Sequence, residues 1–259
     1  MVRRWLPRRL LHGEEATLVE HLSELRHRLF ICIIAIFPAF AVAFAFHERI
    51  IEKLMELLPE GTKLVTLGVT EPFVTSFKVS FYVAVAIVLP VILWQVWAFL
   101  APAMSHSTQR VIAVFVVIAT GLFFVGVAFC YLVVLPRALG FLIGYDDQLY
   151  AEQVRASYFL SFVTLTMLAA GLAFEMPIFI LALVRLGVLS SATLRRNRRT
   201  GYVAMLVFAI LLPTVDPISL AFEVVPLLGL FELSIWLSAF MERRMQREWD
   251  DDLAEAGSS

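Results

Sequence analysis

Six apolar blocks divide this chain, and they constrain its fold more than any other feature. They cover residues 29–46, 73–98, 111–136, 158–184, 202–213 and 218–241. A helix needs about 20 predominantly apolar residues to cross a bilayer. Soluble domains average roughly 45–50% apolar residues, whereas this chain reaches 60%. The sequence therefore predicts an all-α integral membrane protein with six transmembrane helices.

The fifth block, residues 202–213, is shorter than the others. A block of this length usually indicates a buried or re-entrant segment. We nevertheless predict a span, because the charges on its two sides require the chain to cross. Such a short span needs a locally thin bilayer or contact with protein.

The basic residues predict the orientation of the chain. Fifteen lysines and arginines fall on one side of the predicted spans, and six fall on the other. The six are Arg49, Lys53, Lys63, Lys78, Arg137 and Arg155. Because cytoplasmic loops carry the excess of basic residues, both termini are predicted to be cytoplasmic.

Three regions are predicted along the chain. Residues 1–28 form a cytoplasmic N-terminal segment, residues 29–241 form the six-helix transmembrane domain, and residues 242–259 form an acidic, disordered cytoplasmic tail. Between the first two spans, apolar residues from Ile50 to Leu58 alternate with charged ones. This pattern predicts an amphipathic helix along the membrane surface.

Glu175 lies inside the fourth block, two residues before Pro177. A carboxylate at the centre of a membrane helix costs at least about 2.5–3.5 kcal/mol on insertion scales. It should therefore face a cavity or a partner, or carry a proton. The alternative is a structural side chain that bonds backbone groups freed by Pro177. Glu223 and Glu232 in the last block raise the same question.

The sequence carries no signal of catalysis. The histidines lie outside the apolar blocks: His12, His21, His27, His47 and His106. This disfavours an intramembrane serine protease, which needs a histidine beside its serine. Neither a nucleotide-binding loop nor a metal-ligand helix motif occurs. We predict no enzyme, no cofactor, no metal and no nucleic-acid partner.

Several short motifs follow one another along the chain. The string from His21 to Arg26 reads His-Leu-Ser-Glu-Leu-Arg and resembles the His-Leu-x-Glu-Leu-Arg signature of the TatC family. Further matches are Glu71-Pro72-Phe73, Pro90 through Pro102, Tyr131 through Pro136, Ser161-Phe162, Phe174-Glu175-Met176-Pro177, Asp216-Pro217-Ile218-Ser219, and Pro226 with Phe231-Glu232. The resemblance covers residues 17–241. Because many motifs occur in the same order as in the family, the resemblance is specific.

The resemblance to the TatC family implies a cupped six-helix protein that forms the core of a twin-arginine translocase. Such a protein lies in a bacterial or archaeal inner membrane and binds signal peptides with paired arginines. It works in a multimeric complex with single-span partners of the TatA and TatB types. The complex exports folded proteins and is driven by the proton-motive force.

The resemblance also assigns a signal-peptide site. Glu24 matches the family glutamate that reads the arginine pair, and Glu20, Arg26 and Phe99 are expected beside it. A carboxylate forms bidentate hydrogen bonds with a guanidinium, which lysine cannot reproduce. The alternative for Glu24 is a surface ion pair with Arg28, four residues along the helix, worth a few tenths of a kcal/mol.

The loop after the second block departs from the family pattern. The family's second acidic residue is replaced here by Thr108. Glu24 is therefore expected to make the main contact, helped by hydroxyl groups or by Glu20. Within the membrane, the resemblance assigns polar and partner contacts to Glu175, Asp216 and Glu232, and it assigns partner docking to the fifth span.

Two other functions stay open on the sequence. A small-solute or ion transporter could use Glu175 and Glu223 as a relay, but it should show paired broken helices in two halves, which the sequence lacks. A membrane assembly factor would dock partner helices and would not need Glu24.

Overall fold

Helices make up nearly all of residues 18–59, 62–100, 112–145, 153–211 and 217–257, which the computed structural model describes. They are α1 Leu18–Ala45, α2 His47–Met55, α3 Glu71–Leu100, α4 Ile112–Phe129, α5 Leu135–Ile143, α6 Ala156–Phe174, α7 Met176–Arg185, α8 Ser191–Arg196, α9 Arg198–Leu211 and α10 Pro217–Gly257. A π-helical segment, Cys130–Val134, joins α4 to α5, and two short parallel strands, β1 Leu64–Val65 and β2 Val154–Arg155, pair with each other. The predicted all-α membrane fold is confirmed.

Five stretches within the described residues are long and apolar enough to cross a membrane. They are His21–Ala45, Glu71–Phe99, Ala113–Ile143, Ala156–Arg185 and Pro217–Arg244, and they correspond to the first four predicted spans and the last. The remaining predicted span falls on α9, which has 14 residues. At 1.5 Å per residue, such a helix covers about 21 Å, less than the roughly 30 Å of the hydrocarbon core. The fifth predicted span therefore stays a prediction, and so does the cytoplasmic position of both termini, which depends on an even number of spans.

The two predicted terminal segments extend the helices beside them. Helix α1 begins at Leu18, so the end of the predicted N-terminal segment is already helical. Helix α10 runs to Gly257, so the structure describes residues 242–257 of the predicted tail as helical. Those residues contain neither proline nor glycine before Gly257 and are rich in strong helix formers. Extending an existing helix avoids the unfavourable nucleation step, which explains the difference.

The amphipathic segment after the first span forms α2, as predicted. Leu54 is buried where α2 packs against α3 and α6, whereas Glu48, Glu52 and Glu56 are exposed. Elsewhere α1 packs along α3, α4 packs against α6, and α10 packs against α7 and α9. These contacts bring the end of α3 to the beginning of α1 and the end of α7 to α10.

Glu71, the first residue of α3, binds the loop that precedes α3 and the residues around the start of α6. Its Oε1 accepts hydrogen bonds from Arg155 Nε at 2.8 Å and from the Ser157 amide at 3.3 Å. Its Oε2 accepts from the amides of Leu67 and Gly68 at 2.9 and 3.2 Å. The bond to Glu71 raises the pKa of Arg155 above its usual value. The Glu71-Pro72-Phe73 motif therefore holds β1 and β2 at the start of α3.

Gly126 lets α4 and α6 approach closely. A Cβ atom at this position would lie 2.7 Å from Phe174 Cγ and 2.9 Å from the Ala170 carbonyl oxygen. Small residues at helix crossings allow such approaches in membrane proteins. The backbone oxygen cannot move aside as the end of a flexible side chain can.

We expect Gly126→Ala to lower the free energy of unfolding by about 1–3 kcal/mol, because an overpacked crossing must shift its side chains and backbone. Gly121→Ala is the matched control. Gly121 lies in the same helix, and a Cβ atom there has no described neighbour within 4 Å. The measurement is denaturant unfolding of both variants in mild detergent micelles. Equal unfolding midpoints for the two variants would contradict the prediction, because they would show that α4 and α6 accommodate the added methyl group without losing stability.

Candidate functional site

Glu24 lies in the first turns of α1 and is half-buried beside α3. Arg28, one turn along α1, donates from Nε and Nη2 to Glu24 Oε1 at 3.0 and 2.5 Å. Arg28 Nη1 also donates to Gln95 Oε1 of α3 at 3.1 Å. The ion pair that the sequence offered as the alternative role of Glu24 is therefore formed, and Gln95 fixes its arginine. The side chains of Glu24 and Arg28 are 23% and 22% exposed, so solvent reaches the pair.

An aromatic stack lies on the same contact between α1 and α3. The His21 and Phe99 rings are parallel within 18°, with their centroids 4.2 Å apart. The structure thus brings together Glu24 and Phe99, two of the predicted site residues. We call the surface formed by His21, Glu24, Arg28, Gln95 and Phe99 the α1–α3 site.

The other predicted members of the site are not brought to this surface by any described contact. Arg26 is exposed, and its guanidinium carbon lies 5.7 Å from the centroid of the Phe30 ring. Residues two apart on a helix do not face each other, so Arg26 and Glu24 lie on different faces. Glu20 belongs to α1, but its side chain is outside the described part of the chain, and Thr108 lies outside it altogether.

Sequence reasoning missed two members of the α1–α3 site. Gln95 is an amide between Trp94 and Val96 inside a long apolar block, and such an isolated polar residue was a signal that it has a partner. His21 stands in the first motif, but no sequence pattern indicates how close it lies to Phe99. The second contact of Arg28, across to α3, depends on tertiary packing.

Glu175 stands between α6 and α7 and is 1% exposed. Neither of its carboxylate oxygens has a hydrogen-bond partner among the described residues. Its backbone carbonyl accepts from the Ile178 and Phe179 amides at 3.0 and 3.2 Å. Because neither carboxylate oxygen bonds a backbone group among the described residues, the side chain does not fulfil the structural role that the sequence left open.

Glu232 links the last two helices. Its Oε1 accepts from the Tyr202 hydroxyl of α9, and its Oε2 lies 3.0 Å from Arg198 Nη2. The Arg198 and Glu232 side chains are 48% and 38% exposed, so this ion pair is not deeply buried. Glu223, in the same helix, is buried. Asp216 lies outside the described residues, and its predicted role stays a prediction.

Comparison with known proteins identifies the family. The family model of the Sec-independent protein translocase protein (TatC) matches residues 20–226. This chain belongs to the TatC family. The match confirms the resemblance read from the motifs and covers both the α1–α3 site and Glu175.

Relatives and solved structures of the TatC family agree along most of the chain. The TatC protein of Escherichia coli (strain K12) is 35% identical over 227 residues, which cover 86% of this chain and 88% of that protein. The TatC protein of Helicobacter pylori (strain ATCC 700392 / 26695) is 34% identical over 218 residues, which cover 84% of this chain and 85% of that protein. A crystal structure of the twin-arginine translocase receptor TatC in DDM superimposes with a TM-score of 0.76 at 36% identity, covering 84% of this chain and 99% of that chain.

Membership of the TatC family confirms that this chain is a multi-pass component of the twin-arginine translocase. The family is a class of protein translocase subunits and not a class of enzymes.

Proposed function

We propose that this chain is the receptor and core subunit of a twin-arginine translocase and that signal peptides with paired arginines bind at the α1–α3 site. One observation carries the proposal: the half-buried Glu24 carboxylate already accepts two hydrogen bonds from a guanidinium, that of Arg28. Charge-assisted hydrogen bonds of this kind are roughly twice as strong as neutral ones. A carboxylate that binds one guanidinium is chemically suited to bind another.

The geometry leaves room for a second guanidinium. Both contacts of Arg28 fall on Oε1 of Glu24, so an incoming arginine can approach Oε2 or replace Arg28 on Oε1. In the second case Arg28 keeps a partner, because Gln95 accepts from its Nη1. A lysine would bring a single point charge and no planar fork, which favours arginine over lysine. The adjacent Phe99 ring offers an apolar surface to the peptide.

The partner contacts form the second part of the proposal. TatA- and TatB-type single-span proteins dock on α9, whose Val203, Val207 and Leu211 side chains are 60%, 51% and 76% exposed. Glu175 and Asp216 supply polar contacts within the membrane, and Glu232 supplies one near its edge. The working complex is multimeric and exports folded proteins under the proton-motive force. The shortness of α9 fits a locally thinned bilayer.

The proposed setting follows the charge distribution. The chain lies in the inner membrane of a bacterium or archaeon, with six spans and both termini in the cytoplasm. This orientation puts the α1–α3 site on the cytoplasmic side, where signal peptides arrive, and α2 on the outer side. The excess of basic residues on the predicted cytoplasmic side supports it.

A photocrosslinker at position 27 tests the receptor role while leaving the Glu24 carboxylate in place. His27 is exposed and lies three residues from Glu24, on the same face of α1. We expect a crosslink to a labelled signal peptide with Arg-Arg, lost with Lys-Lys and lost on competition with unlabelled Arg-Arg peptide. The same probe at position 52, exposed on α2, is the control. No crosslink from position 27, with folded protein and partners present, would reject the site.

A further inference from the structure

A cavity opens between α2, α3, α4 and α6. Its volume is about 540 Å³, within the roughly 300–1,000 Å³ of small-molecule sites. Most of its lining is apolar, including Leu54, Val83, Phe124 and Met167. Ile87 and Phe124 at the cavity are 50% and 47% exposed, so the cavity is open to the surroundings of the helices.

Two cations from α2 also line this apolar cavity. They are Arg49 and Lys53, and the described lining residues include no carboxylate. The Arg49 guanidinium carbon lies 5.7 Å from the centroid of the Phe46 ring, a contact that leaves its charge in place. Lys53 Nζ lies 2.5 Å from Glu56 Oε2, but both side chains are mostly exposed, and such pairs bind weakly. The ionised side chains among the described lining residues are therefore both cations, and the nearby Glu56 only partly offsets the charge of Lys53.

The backbone of Lys53 is held by a residue of the cavity wall. The Tyr131 hydroxyl donates to the Lys53 carbonyl oxygen at 3.1 Å, which fastens the end of α2 to the π-helical segment. Tyr131 also lines the cavity. Both cations therefore lie on a helix that is held beside the cavity, and neither lies on a loop.

We propose that this cavity binds an anionic phospholipid, with an acyl chain along the apolar wall and the phosphate at Arg49 and Lys53. An occupant must be apolar over most of its length and negatively charged at one end, and an anionic phospholipid has this form. An apolar peptide segment would fill the same volume but would bring no charge for the two cations. The cavity shares no residue with the α1–α3 site, so the lipid site and the receptor role can fail separately.

Native mass spectrometry of the full chain can test the lipid site. The chain is reconstituted with equal amounts of phosphatidylglycerol and phosphatidylethanolamine, extracted in mild detergent, and its retained lipids are counted. We expect the wild-type chain to retain phosphatidylglycerol preferentially. Arg49→Gln with Lys53→Gln should lower the retained phosphatidylglycerol by about fivefold for each cation removed.

The control removes the same charge at the same end of the bundle. It combines Lys63→Gln with Arg137→Gln, whose residues do not line the cavity, and it should retain lipid like the wild type. A second variant, Ala86→Phe, places a ring in the cavity wall and should lower the retention of both phospholipids. Circular dichroism and a monodisperse elution profile confirm folding of each variant.

Several outcomes would overturn the proposal. Equal losses in the cavity variant and its control would mean that only the overall charge matters. Equal retention of the two phospholipids by the wild type would remove the anionic selectivity, and unchanged retention in Ala86→Phe would place the lipid elsewhere. A photoreactive group at position 167 that labels a peptide and no phospholipid would assign the cavity to a protein partner.

Discussion

Glu24→Gln is expected to lower the affinity of the chain for a twin-arginine signal peptide by about 10- to 150-fold. The substitution keeps the size and helix propensity of the side chain but removes its charge, and it replaces one acceptor oxygen by an amide that donates. Hydrogen bonds to charged groups contribute about 1.5–3 kcal/mol, which corresponds to the stated range. The measurement is fluorescence anisotropy of a labelled peptide titrated with the chain in lipid nanodiscs.

Two comparisons separate recognition from general electrostatics. Glu52→Gln removes an exposed carboxylate from α2 and should leave the affinity unchanged. The wild-type chain should bind a Lys-Lys peptide more weakly than the Arg-Arg peptide. Glu24→Gln should bind both peptides with the same low affinity. If the Arg-Arg peptide bound Glu24→Gln with wild-type affinity, Glu24 would be only the structural partner of Arg28, and the α1–α3 site would lose its proposed role.

The sequence predicted the membrane fold well because bilayer thickness sets the length of the apolar blocks. Five of the six predicted blocks, the first four and the last, coincide with apolar helices long enough to span a membrane. The structure differs from the expectation at the tail, where charge suggested disorder and α10 continues to Gly257. Composition alone does not reveal that a preceding helix has already provided the nucleus. In the short α9 two sequence signals oppose each other, since its flanking charges predict a span but its 14 residues are fewer than a bilayer crossing needs.

The candidate site was predictable only in part, because its parts come from different helices. Glu24 and Phe99 were named from motifs, and the structure places them on one surface. The bond from Arg28 to Gln95 joins residues 67 apart in sequence, so no local pattern could reveal it. The four hydrogen bonds of Glu71 likewise join a motif to segments before it and far after it. Local patterns identified these polar residues, but their partners depend on the fold.

Glu175→Leu should raise the stability of the chain and abolish translocation. The Glu175 side chain is almost fully buried, and neither oxygen has a partner among the described residues. A buried unsatisfied polar group costs about 1–3 kcal/mol, and an apolar side chain of similar volume removes that penalty. We therefore expect the free energy of unfolding in detergent to rise by about 1–3 kcal/mol. Export of a folded reporter should fall to background in cells that lack their own TatC protein.

Comparing the two readouts decides what the buried carboxylate does. Glu175→Gln keeps a polar group without charge, so intermediate export would show that polarity contributes apart from charge. A lower stability of Glu175→Leu would mean that the carboxylate is satisfied within the folded chain, and normal export would mean that it has no part in translocation. Natural proteins break local rules mainly at functional sites, and a destabilised group there is a recurrent trade of stability for activity. Glu175 is a buried carboxylate between two helices with neither oxygen bonded among the described residues, and it is therefore expected to find its partner in the assembled translocase.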